Sequence, residues 1–394
     1  MPFTVDLTTK ICQRPLLPQD RVMRLFFLSS IALLSLTTSS PAGTPGEFSL
    51  PDVVPIPMSA VMELRELVAT DPEAAARVET IAERARQHLG EPATPLEVIH
   101  YEGLVNTDPK RIETVSQLKQ AGEAGDLIRY WQATGDLAAA KTLADWILAW
   151  FTTYEPTGND VNENKFFPLL TAYYYLRDQF PEEEREQVDA FVEEIGELHA
   201  KAVKQSDHLT NRYTKHVRLA AICGMILDRP EWVDTAQEGV KRFVTASLFG
   251  DGTSRDLRRR DTLTYHSSAL RPPMQLAMLQ GPEAIEIYTW ENEKGGSIKK
   301  SVDYVVPYAT GEKTREEWKN SKIGLDRRRA EAGLEKYQPG QLYDPKDATD
   351  LMELASFFDP SLHAVVMQLS ESDAERFPTW QTLLNAAMAR SLAD

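Results

Sequence analysis

The sequence has 394 residues, of which 42% are hydrophobic and 26% charged, a composition typical of a folded globular protein. Its 59 acidic and 43 basic residues give a formal net charge of −16. That charge argues against a nucleic-acid-binding protein, which usually carries a net basic domain. Only Cys12 and Cys223 are present, which excludes a disulfide framework and a cysteine-rich zinc site.

The amino-terminal segment predicts export. Residues 23–41 combine a basic start, an apolar run of about a dozen residues and small residues at the end, the pattern of a secretory signal peptide. The run is shorter than the roughly 20 residues that span a bilayer, so we expect no membrane anchor in the mature form. We therefore predict a signal peptide within residues 1–42, with residues 1–22 as an upstream extension, and a periplasmic or secreted protein.

The remainder, residues 43–394, predicts a single all-α domain. Apolar residues recur at three- and four-residue spacing, and the connections are short. Such alternation favours stacked antiparallel helical hairpins, arranged as a bundle, a solenoid or a toroid. One segment, residues 284–290, has the pattern of a strand. The predicted helical segments are residues 57–89 with a break at Asp71-Pro72, 135–154, 166–180, 181–203, 215–228 and 231–248.

Four segments hold Asn, His, Arg and Tyr at the predicted starts of helices, where side chains converge on one end of a helical assembly. Each has an ordinary interpretation, since Asn-rich loops are commonly turns and helix caps and basic runs are commonly solvated. Their combination suits the β-elimination of uronic acid polymers, in which a proton leaves C5 beside a charged carboxylate. Such a reaction needs donors or cations to neutralise the carboxylate and a proton-transferring group, for which a tyrosine near an arginine is suited. The segments are residues 98–112, 155–165, 208–218 and 254–273.

The same segments resemble a known family. NRYTKHVRLAAICG followed by DGTSRDLRRRDTLTYHSSALRPP is similar to the helical alginate lyase superfamily. HYEGLVNTDPKR, TGNDVNENK, RRDTLTYH and SVDYVVPYATGEKTREEWKNSK resemble polysaccharide lyase family 38, which contains alginate and glucuronan lyases. The resemblance runs from about residue 100 to residue 333. It implies an (α/α) toroid with an open cleft, an anionic uronate polysaccharide as substrate, and no metal or other cofactor.

Carried over residue by residue, the resemblance implies that Tyr265 is the catalytic tyrosine. His216 and Asn211 match the histidine and asparagine that neutralise the carboxylate, although residues 212–215 separate them here. Among three consecutive arginines we favour Arg260 as catalytic, since it begins the RD…YH pattern. The expected substrate-binding residues are His100, Tyr101, Asn162, Asn164, Lys165, Arg258, Arg259 and His266.

Two other classes of protein remain open. An inverting glycoside hydrolase would need two carboxylates about 6.5–9.5 Å apart, for which Glu102, Glu163 and Asp261 are candidates. A non-catalytic glycan-binding protein would use aromatic side chains as stacking platforms, with Trp131, Tyr174 and Trp290 as candidates.

Overall fold

The computed structural model describes residues 53–393. Helices form the regular structure of this part of the chain, and no strand occurs in it. The helices are α1 (Met58–Thr70), α2 (Pro72–Gln87), α3 (Pro109–Thr134), α4 (Leu137–Thr153), α5 (Asp160–Glu163), α6 (Phe167–Leu176), α7 (Glu182–Gln205), α8 (Asn211–Ile226), α9 (Pro230–Ser247), α10 (Arg255–Arg260), α11 (Leu263–Gln280), α12 (Pro282–Ile285), α13 (Ile298–Ala309), α14 (Gly324–Glu331), α15 (Thr349–Ala355), α16 (His363–Ser370) and α17 (Trp380–Ser391).

The long helices pack as antiparallel hairpins that follow one another around a ring. α2 packs on α3, α3 on α4, α4 on α7, α7 on α8 and α8 on α9, while α11 also packs on α8. Three of these pairs, α3 with α4, α7 with α8 and α8 with α9, are neighbours in sequence joined by short loops, which forces them to run antiparallel. α17 packs back against α1, so the ends of the series meet. The predicted all-α toroid of helical hairpins is confirmed.

Capping residues explain where several helices begin. The Asp71 side chain accepts from the backbone N–H groups of Glu73 and Ala74, with Pro72 in the first turn. Asp108 and Pro109 repeat the arrangement at α3, which ends at Gly135 in the left-handed region. The predicted break at Asp71-Pro72 is therefore confirmed.

The predicted strand over residues 284–290 is wrong. This segment holds the end of α12 and a single 3₁₀ turn, Glu286–Tyr288. Gly281 and Pro282 start the helix, and Tyr288 is buried and stacked on Phe358 with ring centroids 4.8 Å apart. Its burial comes from helix packing, which a short apolar run cannot distinguish from a strand.

One contiguous hydrophobic cluster forms the core and brings α7, α8 and α9 close together. Gly196 on α7 faces the ring of Trp232 on α9, and a Cβ atom at that position would lie 2.2 Å from the ring. Any larger residue would push the two helices apart. This close packing fixes α7, which carries His199, against α9, and both helices pack on α8, which carries His216.

Residues 310–348, here called the cover segment, fold over the start of α11. The Glu317 carboxylate accepts from Thr262 Oγ1 at 2.8 Å and from the backbone N–H of Leu263 at 2.5 Å. The backbone N–H groups of Trp318 and Lys322 donate to the carbonyls of Asp261 and Arg259. The cover segment is therefore attached to the stretch that connects α10 and α11.

No helix within residues 53–393 is long and apolar enough to cross a membrane. The predicted signal peptide, residues 1–42, lies outside the described residues.

Candidate active site

A cavity of about 920 Å³ opens where the amino-terminal turns of α8 and α11 meet α5, α10 and the cover segment. Its lining contains ten Lys or Arg side chains and five carboxylates, so it is locally cationic in a chain whose net charge is −16. The helix amino termini add partial positive charge in the same direction. The basic residues are Lys165, Arg212, Lys215, Arg218, Arg259, Arg260, Arg271, Arg329, Lys336 and Lys346.

The structure brings most of the residues singled out by the sequence into this cavity. Tyr265 and Asn211 lie in the first turns of α11 and α8, and His216 lies one turn further along α8. Those that line the cavity are Tyr101, Asn164, Lys165, Asn211, His216, Arg259, Arg260 and Tyr265.

Two expected binding residues are instead part of the protein's own hydrogen-bonding framework. His266 is fully buried, and its ring nitrogens lie 2.7 Å from Ser254 Oγ and 2.9 Å from the Ser301 carbonyl. Asn162 donates to the Ile99 carbonyl and accepts from the backbone N–H of Glu102. Because these bonds occupy the two side chains, we no longer assign them to substrate.

Two other expected substrate-binding residues, His100 and Arg258, lie on the surface outside the cavity lining. His100 is exposed, and its backbone N–H donates to Thr114. Arg258 points away from its neighbours on α10 and pairs with Asp251 at 2.8 Å. Successive residues on a helix are rotated by about 100°, so three consecutive arginines cannot all face one cavity.

Tyr265 is held between two guanidinium groups. The Arg260 guanidinium carbon lies 3.4 Å from the centre of the Tyr265 ring, and Arg260 is itself fixed by a two-point ion pair with Asp326. Arg329 donates from Nη1 to Tyr265 Oη at 2.9 Å. That bond would stabilise negative charge on the oxygen when its proton leaves, so the pair is equipped for proton transfer.

α8 presents a cationic face that sequence analysis included only partly. Arg212, Lys215 and Arg218 recur every three residues and all line the cavity. Burial lowers the pKa of the Lys215 ammonium to about 8. Arg329, by contrast, gave no sequence signal, because it lies 64 residues beyond its partner Tyr265.

Asn211 and His216 are positioned by contacts from neighbouring helices. The backbone N–H of Asn211 donates to Asp256 Oδ2 at 2.8 Å, so a carboxyl group of α10 caps α8. Burial raises the pKa of Asp256 to about 7. His216 is 14% exposed, and burial together with His199 lowers its pKa to about 4. His216 is therefore neutral at pH 7 and acts as a hydrogen-bonding group.

The carboxylates that a glycoside hydrolase would need are already engaged. Glu163 has no exposed side-chain surface, and its Oε1 accepts from Tyr154, Thr157 and Gly158. Asp261 pairs with Arg315 and Asn320 and lies outside the cavity lining. Glu102, which does line the cavity, pairs with Arg212 at 2.9 Å. The arrangement does not favour a hydrolase.

The aromatic residues expected of a glycan-binding protein lie elsewhere. Trp131 is a buried core residue with Arg65 over its ring, and Tyr174 packs against the core. Trp290 is 40% exposed but lies outside the cavity lining. These residues therefore offer no stacking surface to a ligand in the cavity.

Within residues 53–393, one group of His and carboxylate side chains has ligand atoms close enough to share a metal ion. It consists of His88, Glu91 and Glu123, none of which lines the cavity.

The sequence and the fold are both similar to those of known proteins. The sequence model described as alginate lyase matches residues 64–315. The fold is similar to an alginate lyase from Bacteroides ovatus, with a TM-score of 0.57 and 14% identity over 84% of this chain and 99% of that one. It is also similar to alginate lyase A1-III from Sphingomonas species A1, with a TM-score of 0.54 and 14% identity over 78% and 90% of the two chains. A variant of A1-III complexed with a tetrasaccharide gives a TM-score of 0.53 at 15% identity over 78% of this chain and 89% of that one. No curated protein matches the sequence.

Proposed function

The chain belongs to the alginate lyase family, and on that premise we propose that it cleaves β-1,4-linked D-uronate polymers, either glucuronan or alginate, by β-elimination. The observation that carries the proposal is the position of Tyr265. Its hydroxyl accepts a hydrogen bond from Arg329 and lies in a cationic cavity that also contains Asn211 and His216. An anionic sugar chain requires such a cavity, because the acidic protein as a whole repels it.

The residues divide into two roles. Asn211, His216 and the cationic face of α8 neutralise the carboxylate next to C5, which stabilises negative charge as the C5 proton leaves. Tyr265 takes that proton as a phenolate, which the hydrogen bond from Arg329 stabilises. Its neutral hydroxyl then delivers the proton to the glycosidic oxygen O4, which regenerates the phenolate. The C5–H and C4–O4 bonds break, a C4–C5 double bond forms, and the proton leaves with O4, so no water is consumed.

The stereochemistry favours D-mannuronate and D-glucuronate as substrates. Both sugars place the C5 proton and the leaving O4 on the same face, and they differ only at C2. One tyrosine can therefore serve both transfers on either sugar. On guluronate the proton lies opposite the leaving oxygen, so a second residue would have to act as the base.

The test is incubation with glucuronan, polymannuronate, polyguluronate and alginate in separate reactions. Ultraviolet absorbance from the C4–C5 double bond should rise with glucuronan or polymannuronate. Tyr265→Phe should lower turnover by at least about 10²-fold, since general acid–base transfer contributes roughly 10²–10⁴-fold. Tyr308→Phe, a change of the same kind outside the cavity, should leave turnover unchanged. New reducing ends without the absorbance would indicate a hydrolase and refute the proposal.

We also propose that the protein is exported, on the strength of the signal-peptide pattern in residues 1–42. Protein purified from its native source should begin near residue 42. An intact apolar segment on that protein would contradict the proposal.

A further inference from the structure

Behind His216 lies a buried chain of titratable groups to which the proposed reaction assigns no role. His216 Nδ1 is 2.7 Å from Nδ1 of His199 on α7, and His199 Nε2 is 2.8 Å from Oε2 of Glu163 on α5. The side chains of His199 and Glu163 have no exposed surface, whereas His216 reaches the cavity. The three groups therefore connect the cavity to the protein interior.

Glu163 is the anionic end of this chain. Burial raises its pKa, but contacts with His199 and Thr157 outweigh that effect, and the net pKa is lowered. Four donor contacts, from Tyr154, Thr157 and Gly158, reach Oε1, so the negative charge is well hydrogen-bonded. Oε2 faces His199. A buried charge without a counter-charge is strongly destabilising, and His199 is the group placed to supply one.

The distance between the two imidazoles limits the possible protonation states. Two ring nitrogens 2.7 Å apart require one proton between them, because two bare lone pairs or two N–H groups would repel. If the proton is on His216 Nδ1, the cavity-facing Nε2 of neutral His216 is bare and can only accept. If it is on His199 Nδ1, His199 is doubly protonated, because its Nε2 faces the Glu163 carboxylate and carries a proton as well. Neutral His216 then carries its own proton on Nε2, where it can donate.

We propose that Glu163 and His199 are positioning residues that hold His216 as a neutral hydrogen-bond donor toward the cavity. The pairing of anionic Glu163 with cationic His199 selects the second state, because it balances the buried charge. Asp160 supports the same assignment: its Oδ1 lies 3.8 Å from His216 Nε2, and a carboxylate oxygen favours an N–H there over a bare nitrogen. The other charged group facing this end of the chain is Arg212, which is paired with Asp160.

The assignment gives His216 a defined part in turnover. A neutral imidazole with its proton on Nε2 can donate to a substrate carboxylate but cannot remove a proton through that nitrogen. His216 then neutralises the carboxylate, and Tyr265 remains the base. This consequence rests on the proposed function, whereas the protonation state itself is a property of the resting protein.

The protonation state can be read without substrate by nitrogen NMR of protein carrying ¹⁵N-labelled histidine, in which protonated and bare ring nitrogens give separate signals. At pH 7 the wild-type protein should show His216 protonated on Nε2 and bare on Nδ1, and His199 protonated on both nitrogens. His216→Ala identifies the His216 signals. A bare Nε2 on His216 in the wild type would overturn the proposal without any variant.

A pair of amide substitutions tests which residues impose this state. In His199→Gln, the amide NH₂ must face the Glu163 carboxylate, so the amide oxygen faces His216 Nδ1 and draws the proton there. His216 should then expose a bare Nε2, and kcat should fall roughly 10- to 100-fold, the effect of one hydrogen bond to a charged group, with a smaller change in KM. Unchanged protonation of His216, or unchanged kcat with the altered protonation, would overturn the proposal.

Combining this change with Glu163→Gln should restore the donor. The amide introduced at position 163 keeps its oxygen toward Thr157 and Gly158, so its NH₂ faces position 199 and reverses the amide introduced there. His216 Nδ1 again becomes the acceptor, and kcat should recover in the double variant. If His199 and Glu163 only fill space, a second buried substitution should not restore kcat. If kcat does not recover in a double variant that has the same unfolding temperature as His199→Gln, the proposed relay from Glu163 through His199 to His216 is refuted. His363→Gln, which alters a histidine outside the cavity, is the matched control and should change neither readout.

Failure of this proposal and failure of the proposed function are distinguishable. If no uronate polymer is cleaved, the proposed function fails, and the nitrogen signals still report the state of His216. If polymers are cleaved but the signals show a bare Nε2, the relay fails and the lyase assignment stands.

Discussion

Replacing Arg329 with methionine should slow turnover while leaving substrate binding nearly unchanged. Arg329 Nη1 donates to Tyr265 Oη at 2.9 Å, and this bond strengthens when Oη becomes negatively charged during proton transfer. A hydrogen bond involving a charged group contributes about 1.5–3 kcal/mol. At about 1.36 kcal/mol for each factor of ten in rate, we expect kcat to fall roughly 10- to 150-fold. Arg260 cannot compensate, because it lies over the face of the ring rather than beside the hydroxyl.

The measurement is the initial rate of double-bond absorbance over a range of polymer concentrations, which separates kcat from KM. Two controls isolate the contact. Arg328→Met removes an exposed guanidinium from the same helix, α14, and should have no effect. Tyr337→Phe removes the second hydroxyl to which Arg329 donates, also at 2.9 Å, but leaves the bond to Tyr265. A folded Arg329→Met protein with kcat within about threefold of the wild type would refute the assigned role.

Three further outcomes are expected. KM should rise with salt, because the cavity lining carries ten basic side chains and salt screens their attraction for an anionic substrate over about 8 Å at 0.15 M. A KM that does not change with salt concentration would contradict a cationic cleft. Turnover should survive EDTA, because side chains neutralise the carboxylate, and complete loss that one divalent ion restores would contradict this. Burial lowers the pKa of His266 to about 4, below its unfolded value of about 6.5. Its contribution to the free energy of unfolding is therefore fully present above pH 6.5 and is lost as the pH falls toward 4. In denaturant titrations, this group should lower the free energy of unfolding by about 2 kcal/mol between pH 7.5 and pH 5, and the decrease should be shallower in His266→Gln. Equal decreases in the two proteins would refute the role of His266.

Helices with strong local signals were predictable from the sequence. The Asp71-Pro72 boundary is set by a cap and a proline, both of which act within a few residues. α3 was not among the predicted helices, because it buries polar side chains such as Gln120 and Gln132 that interrupt the apolar spacing. Gln120 accepts from Trp150 Nε1, and Gln132 donates to Tyr175. Partners contributed by other helices make such burial favourable, and periodicity along one helix does not reveal them.

The candidate site was predictable to the extent that its residues share a segment. Tyr265, Arg260 and His216 were found because their motifs are local. Arg329 and His199 were missed, since each acts on a motif residue from a different part of the chain. The family resemblance implied that His266 binds substrate, yet it follows Tyr265 directly on α11, and adjacent residues on a helix point in different directions. The sequence therefore identified the candidate reacting groups but not the side chains that position them.

The packing of α17 on α1 has a consequence for how the chain is made. Ser59 and Ser391, 332 residues apart, share a hydrogen bond of 2.6 Å between their hydroxyls. During synthesis, α1 lacks this neighbour until α17 has left the ribosome, and contacts so distant in sequence form slowly. A chain that stopped before Trp380 would leave part of the apolar face of α1 open to other molecules. The same adjacency makes a circular permutant feasible, in which a short linker joins the two helices and new ends open at an exposed loop, with every helix keeping its neighbours.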